Sequence, residues 1–319
     1  MLLLTLCSIW ANGQGLEVGN TKWYQPDTTY SPGRFWGLTG SISVVYDGAL
    51  ILLNQYWYKD YPRSPFHFFD DSGEWLQMDK AGHFFNGYWL SYGGIKLYRW
   101  TGMRDEHAVW MGGVVGTVLL TGIELLDGYS TKWGASLSDM AANIGGSALA
   151  MGQEFAWQQQ RIQIKISAHP ITYDPDVTER ADALFGHTLA ETILKDYNAL
   201  TIWASVTPAD FMSNNTWFPR WLNVSLGYGA DGLFGGYKNC WCDDPLISFE
   251  DCPDAERHAR VDIPRLRQYY LSLDVNWARI HSNSPLIRTL FDVLNLVKVP
   301  APALMLDSEG KVRFYAIYF

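Results

Sequence analysis

The feature that most constrains the fold of this chain is a change in the spacing of its apolar residues near Gln159. Before that residue, four segments of about 20 residues have helical character and the length of a helix that crosses a hydrocarbon layer, namely 35–58, 77–100, 106–126 and 136–159. After it, apolar and polar residues alternate, as in Ile162, Ile164 and Ile166, which is the period of a β-strand. The sequence therefore predicts an α+β chain, in which a membrane-associated helical bundle is followed by a β-rich C-terminal half.

The same alternation recurs in 222–226, 269–277 and 312–319, so about five strands are predicted. The terminal segment ends in Phe319 and resembles the closing strand of an outer-membrane barrel, while an ordinary edge strand is the alternative. A short helix at 285–296 precedes it. We therefore predict a signal peptide at 1–13, a helical membrane-associated domain at 14–160 and a β-rich domain at 161–319.

The composition favours an envelope protein. Aromatic residues make up 15% of the chain, and amphipathic rings are typical of membrane interfaces. The formal charge of −9 excludes nucleic acid as a partner, because binding to a phosphate backbone requires a basic surface. The number of membrane spans is left open, since three of the four helical segments also carry polar residues.

The N-terminal segment 1–13 reads as a signal peptide, because an apolar run is followed by small residues and leads to Gln14 as the expected mature N-terminus. A short buried segment is the alternative. Cys7 is a poor lipidation site, since Leu4 stands where a lipobox requires a small residue. An exported chain enters an oxidising compartment, where cysteines form disulfides.

Three cysteines of the mature chain lie in one acidic loop. We predict a disulfide between Cys252 and either Cys240 or Cys242. The alternative is a zinc site completed by His258, although these spacings match no common zinc module.

Ionisable residues inside the helical half are the candidate functional residues, because burying a charge there requires a partner or a task. One interpretation is a metal or acid–base site, and its candidate residues are Asp79, His83, Glu124 and Asp139. The other is a structural network of hydrogen bonds and ion pairs, which adds Lys80, Asp127, Ser136 and Asn143. We favour the structural network, with no cofactor, and keep a divalent metal as the alternative.

Small residues on two of these helices predict close helix packing. They are Gly112, Gly113 and Gly116 on the third segment and Gly145, Gly146, Ala148, Ala150 and Gly152 on the fourth.

The motifs around these polar residues resemble an uncharacterised family, the YfiM-like predicted periplasmic lipoproteins, in its longer Bacteroidota-type members. The resemblance is carried by Asp79-Lys80-x-x-His83-Phe84, Ile123-Glu124-x-x-Asp127-Gly128 and Ala135-Ser136-x-x-Asp139-x-x-Ala142-Asn143. More distantly, the chain resembles VanZ-like membrane proteins. The resemblance implies an envelope location and no known reaction.

These observations lead to two hypotheses for function. The first is a non-catalytic component of a Gram-negative cell envelope, at the outer membrane or on the periplasmic face of a membrane, that binds membrane lipid or another envelope protein. The second is a membrane-embedded enzyme that uses a metal or acid–base groups to act on lipid or glycan. The geometry of the polar residues distinguishes them, because a catalytic or metal site needs room for a ligand.

Overall fold

The computed structural model describes residues 25–58, 61–169, 171–186, 188, 191–192, 195–212, 217–244 and 247–319. The predicted signal peptide at 1–13 lies outside these residues. The chain divides into two compact units. The helical unit comprises Met1–Asp70, His83–Gln160 and His281–Val293, and the sheet unit comprises Asp71–Gly82, Arg161–Ile280 and Leu294–Phe319. The predicted α+β class is confirmed.

The four predicted helical segments are helices in the structure. They are α1 (Pro32–Leu53, continued by a π-helical turn at Asn54–Tyr58), α2 (Met78–Trp100), α3 (Asp105–Gly113), α4 (Val115–Asp127) and α5 (Leu137–Trp157). One predicted segment is therefore split into α3 and α4 at Val114, directly after two glycines, Gly112 and Gly113, whose helix propensity is low.

The described residues also form two shorter helices, α6 (Pro175–Phe185), which was not predicted, and α7 (Pro285–Leu294), which was.

The start of α5 is fixed by its capping residue. The Ser136 hydroxyl accepts a hydrogen bond from the backbone N–H of Asp139, which satisfies one of the free donors of the first turn. At the other end, Gln158 adopts a left-handed conformation, with φ of 52°, and stops the helix. The cap places Asp139 in the first turn of α5.

Glycines let the helices of the helical unit approach closely. A Cβ on Gly146 would lie 2.1 Å from the carbonyl oxygen of Phe84, and one on Gly116 would lie 2.5 Å from the carbonyl oxygen of Gly87. Any side chain at either position would collide with backbone. The predicted close packing is confirmed for these positions, whereas Gly152 faces open space.

Among the described residues, two helical stretches are long and apolar enough to cross a membrane, Pro32–Leu53 and Asp105–Asp127. Within its apolar window the first has no buried residue, whereas 39% of the second is buried. Length and composition are the only grounds for this assignment, and a core helix meets the same criteria.

The sheet unit is built on a six-stranded antiparallel sheet of order β1-β2-β3-β6-β7-β8, and β4 and β5 form a separate hairpin. The strands are β1 (Ile162–Ala168), β2 (Leu200–Val206), β3 (Leu222–Asp231), β4 (Cys240–Cys242), β5 (Arg257–Ala259), β6 (Leu266–Val275), β7 (Ala301–Asp307) and β8 (Val312–Tyr318). The four segments with predicted alternation lie in β1, β3, β6 and β8. Strands β2 and β7 in the sheet and the β4–β5 hairpin were not predicted.

The two faces of the sheet have the reverse of the usual polarity. The face that we call the outer face carries exposed apolar residues, namely Leu226, Tyr269, Leu271, Leu273, Leu304, Leu306, Val312 and Phe314. The opposite, inner face is buried and carries polar residues, among them Gln163, Lys165, Ser205, Asn223, Ser225, Ser272 and Asp274. The register aligns these residues in rows across the strands, so that Leu226, Leu271, Leu304 and Phe314 are successive cross-strand partners.

Aromatic side chains fill the rest of the inner face. Trp203, Tyr270 and Tyr318 pack together with Ala303 and Met305. The hydroxyl of Tyr318 donates to that of Tyr270, and the indole N–H of Trp203 donates to the Ser167 hydroxyl. Each buried polar tip thus has a partner, as buried Tyr and Trp require.

Three successive residues before α2 adopt left-handed backbone angles. The φ values of Trp75, Leu76 and Gln77 are 48°, 50° and 65°. Each costs roughly 1–2 kcal/mol for a residue with a Cβ. The turn is compensated within the sheet unit, because the carbonyl oxygen of Leu76 accepts hydrogen bonds from the Tyr228 hydroxyl and the Arg267 guanidinium.

Candidate functional site

Three of the predicted site residues come together in the helical unit. His83 lies in the second turn of α2, Glu124 near the end of α4 and Asp139 in the first turn of α5. Because the connection from α4 to α5 is short, the end of one helix lies near the start of the next. Three different helices thus supply one imidazole and two carboxylates, which we call the His83 cluster.

The cluster is more open than a network of direct hydrogen bonds. His83 Nε2 lies 3.9 Å from Glu124 Oε1 and 3.8 Å from Asp139 Oδ2. Both distances exceed the range of about 2.7–3.2 Å for an N–H···O hydrogen bond. One ligand atom from each residue lies within 4.8 Å of the other two.

Asn143 fixes the orientation of the imidazole. His83 Nδ1 lies 3.0 Å from Asn143 Oδ1. An amide oxygen only accepts, so Nδ1 carries the proton, and in the neutral ring the lone pair of Nε2 points toward the two carboxylates. Asn143 is fully buried, and its Nδ2 has no hydrogen-bond partner among the described residues.

Ser136 joins the two carboxylate-bearing residues. Its backbone N–H donates to Glu124 Oε2 at 3.0 Å, and its hydroxyl caps α5 beside Asp139. Burial raises the pKa of Glu124 to about 7, although the hydrogen bond from Ser136 and the nearby His83 oppose the shift. Ser136 was predicted as part of the structural network, and its backbone N–H holds the Glu124 carboxylate in place.

Asp127, Lys80 and Asp79 each have a direct partner of their own. Asp127 accepts a hydrogen bond of 2.6 Å from the Tyr58 hydroxyl, whose pKa burial and Asp127 raise. In the sheet unit, Lys80 Nζ lies 2.6 Å from Asp79 Oδ2 and 2.7 Å from Asp71 Oδ2. Burial raises the pKa of Asp79, while Lys80 lowers it. Asp71 was not predicted; its signal in the sequence is an acidic pair, Asp70 and Asp71.

A buried ion pair in the sheet unit was also missed. Lys165 Nζ lies 2.7 Å from Asp274 Oδ2, and neither side chain has any exposed surface. The same ammonium donates to the Val275 carbonyl oxygen at 2.8 Å and to Asn295 Oδ1 at 3.3 Å. The sequence signal is a lysine at the centre of the alternating segment Ile162–Ile166, on the polar side of the strand.

The helical unit also contains a second network of polar side chains, formed by Arg99, Glu154 and Gln160. Arg99 Nη1 lies 2.7 Å from Glu154 Oε2, and Gln160 donates to the other oxygen of that carboxylate at 2.7 Å. Both contacts are direct, so this network is structural.

The predicted disulfide is confirmed and assigned to Cys242 and Cys252, whose Cα atoms are 5.7 Å apart. Cys240 has a free thiol. The bond uses two of the four side chains that the alternative zinc site requires, and His258 Nε2 instead lies 2.7 Å from Asp243 Oδ1.

Comparison with known proteins gives one similarity. Residues 67–153 match the family described as Predicted periplasmic lipoprotein (DUF2279). The matched range contains the whole His83 cluster but covers less than half of the chain. No curated protein and no solved structure matches the chain. The similarity is consistent with an envelope protein of unknown function.

Proposed function

We propose that this protein is a lipid-binding component of the outer membrane, in which the outer face of the sheet contacts lipid acyl chains. The observation that carries the proposal is the polarity of the sheet, whose apolar face is exposed and whose polar face is buried.

A sheet with one wet face normally shows the reverse arrangement, because apolar side chains gain free energy by leaving water. Here Leu271 is 48% exposed and Phe314 is 71% exposed, while Asp274 in the same strand as Leu271 is 2% exposed. Antiparallel sheets that face lipid have this inverted pattern. Contact between acyl chains and the outer face therefore accounts for the inverted polarity, with the apolar face exposed and the polar face buried.

The strands cannot be turned over so that the polar side chains face outward and the apolar side chains face inward. The groups of the inner face are bonded to each other, as in the hydrogen bonds from Ser205 to Asp274 and from Thr207 to Asn223. A shift of one residue in register would bury leucines and expose these groups, breaking every such bond. The apolar side is thus held outward by the polar network behind it.

The chemistry of the outer face favours lipid over a protein partner. Its residues form continuous cross-strand rows of Leu, Val, Phe and Tyr. Arg267 lies at the end of this face, where its guanidinium is bonded to the Leu76 carbonyl oxygen and the Tyr228 hydroxyl. A protein interface of ordinary size also contains about one hydrogen bond per 100–200 Å² to fix its orientation. Acyl chains need no such bonds. The aromatic content of the chain and the family similarity agree with an envelope location.

The test is a measurement of the surroundings of single outer-face positions. Nitroxide labels are attached at Leu271→Cys and at Leu304→Cys, each in a Cys240→Ser background, and the full chain is reconstituted in phosphatidylethanolamine and phosphatidylglycerol vesicles. Both labels should be more accessible to oxygen, which partitions into acyl chains, than to a water-soluble nickel chelate.

The matched control is Glu309→Cys, on the exposed turn between β7 and β8. Its label should show the opposite preference. Labels at positions 271 and 304 that collide with the nickel chelate as often as the control would refute lipid contact, whether or not another segment anchors the chain.

A further inference from the structure

We infer that His83, Glu124 and Asp139 bind one divalent transition-metal ion of the Zn²⁺ or Mn²⁺ type. The inference does not depend on lipid binding by the sheet, since all three residues belong to the helical unit.

The spacing of the three side chains fits an ion at their centre. The separations of 3.9 Å and 3.8 Å from Nε2 to the carboxylate oxygens, with no pair beyond 4.8 Å, place the centre at most about 2.5 Å from each atom. Zinc bonds to nitrogen and carboxylate oxygen are about 2.0–2.2 Å. An inward movement of at most about 0.5 Å per side chain therefore completes the coordination.

The contact between His83 and Asn143 is the support that a metal-binding histidine needs. Ligating histidines almost always donate their second ring N–H to an oxygen, which fixes the tautomer and the ring orientation. Here Nδ1 donates to Asn143 Oδ1 at 3.0 Å, so Nε2 is left with its lone pair toward the carboxylates. In a neutral ring that lone pair faces two carboxyl groups, and a cation between them would be attracted to all three groups.

The Asn143 side chain that holds the His83 imidazole is itself buried. The side chain has no exposed surface, and its Nδ2 has no hydrogen-bond partner among the described residues. Leaving a buried N–H without an acceptor is unfavourable. Three protein ligands leave at least one position on the metal open, where a water can bind.

The ligand types select the class of ion. An imidazole nitrogen suits Zn²⁺ and Mn²⁺ sites of mixed nitrogen and oxygen ligands, whereas Ca²⁺ and Mg²⁺ prefer oxygen alone. The His83 side chain is 24% exposed while Glu124 and Asp139 are buried, so an ion reaches the cluster from the histidine side.

The test uses the full chain in detergent, in a Cys240→Ser background that removes the free thiol. The protein is stripped with a chelator and dialysed against ZnCl₂ or MnCl₂, and bound metal is measured by mass spectrometry. We expect about one ion per chain, and little Mg²⁺ or Ca²⁺ under the same conditions. His83→Gln should weaken binding by at least about 100-fold, and Asn143→Ala by about 10- to 100-fold.

The matched control is His258→Gln, which removes another histidine that contacts an aspartate, at an exposed position. It should bind metal as well as the background protein does. Failure of that background protein to retain metal, or equal retention by His83→Gln, overturns the inference.

A second measurement covers the case in which His83→Gln fails to fold. Pulsed electron paramagnetic resonance of the Mn²⁺-loaded background protein should show coupling to an imidazole nitrogen that persists in His258→Gln. Absence of that nitrogen coupling also overturns the inference.

Discussion

The two units of this protein both bury ionisable side chains, but they satisfy them differently. In the sheet unit, Lys165 and Asp274 are 2.7 Å apart, and the ammonium has two further oxygen partners. In the helical unit, His83 lies 3.8 Å and 3.9 Å from its carboxylates. The first arrangement is closed by its own hydrogen bonds, whereas in the second the imidazole and the carboxylates lie farther apart than a hydrogen bond.

This difference in contact distance distinguishes a structural role from a binding role. The residue types alone do not, because both units place a basic side chain beside buried carboxylates. A closed pair is expected to matter for stability and to respond little to added ligands. An open cluster is expected to tolerate substitution when empty and to gain stability when a ligand fills it.

The largest effect should come from opening the closed pair. Asp274→Ala removes the acceptor for Lys165, for the Ser205 hydroxyl and for the Val299 backbone N–H. It leaves a buried charge without its counterion, which costs about 3–5 kcal/mol. Urea unfolding followed by circular dichroism measures the loss.

The control for this substitution is the double variant Lys165→Met with Asp274→Leu. Replacing both charges by apolar side chains of similar size should recover the part of the loss that comes from the stranded charge, but not the hydrogen bonds from Ser205 and Val299. A single variant that loses less than about 1 kcal/mol would mean that the pair is not closed as described.

Filling the open cluster should produce the next largest effect. Zinc at about 100 times its dissociation constant should raise the free energy of unfolding by about 2.7 kcal/mol, and chelation should remove that gain. Hydrogen exchange of α2, α4 and α5 with and without the metal locates the effect. His83→Gln should show no gain, and stabilisation of that variant to the same extent would place the ion elsewhere.

Helix packing around the open cluster should give a smaller effect. Gly146→Ala places a Cβ against the Phe84 carbonyl, so we expect a loss of about 1–3 kcal/mol. Gly152→Ala on the same helix meets open space and should gain about 0.5–1 kcal/mol, because alanine is the better helix former. Thermal unfolding of the pair makes the comparison, and similar shifts in both variants would contradict the close approach.

The smallest effect concerns the pH dependence of the sheet unit. Burial, together with the nearby Lys165, lowers the pKa of Lys298 to about 8, while Asp274 opposes the shift. The unfolded chain keeps the ordinary value of 10.5, so it binds more protons than the folded chain between those two values. The free energy of unfolding should therefore rise with pH above 8, by at most about 1.4 kcal/mol per pH unit.

Urea unfolding between pH 7.5 and 9.5 measures this slope. Lys298→Met should reduce it, and an unchanged slope in that variant would assign the titration to another group.

Sequence reasoning located the helices because their length and apolar content leave few alternatives, but it missed β2 and β7. Proline in a strand argues against its assignment, and Pro302 lies inside β7. Pro302 fits into β7 because the register between β7 and β8 shifts at this point, between Ala301 and Ala303. In β2, the buried Trp203 lies on the polar face and weakens the alternation.

The candidate site was predictable as a set of residue types and not as a set of contacts. Spacing on a helix places His83 and Asp79 on one face, yet Asp79 contacts Lys80, while His83 is held by Asn143. The choice of partner depends on how three helices pack, which glycine contacts determine. The disulfide shows the same limit, because Cys240 and Cys242 project from the same side of β4 and only the loop geometry selects Cys242.

The inverted polarity of the sheet has a consequence for biogenesis. An exported chain passes through water before it reaches lipid, and in water the rows of Leu271, Leu304 and Phe314 are a template for aggregation. In water, these strands would tend to collapse with their leucines buried, which is opposite to the orientation of the leucines in the structure. Under the proposed contact with lipid, a chain of this kind would need a holding factor during transit, and the sheet would acquire its correct sidedness at the membrane.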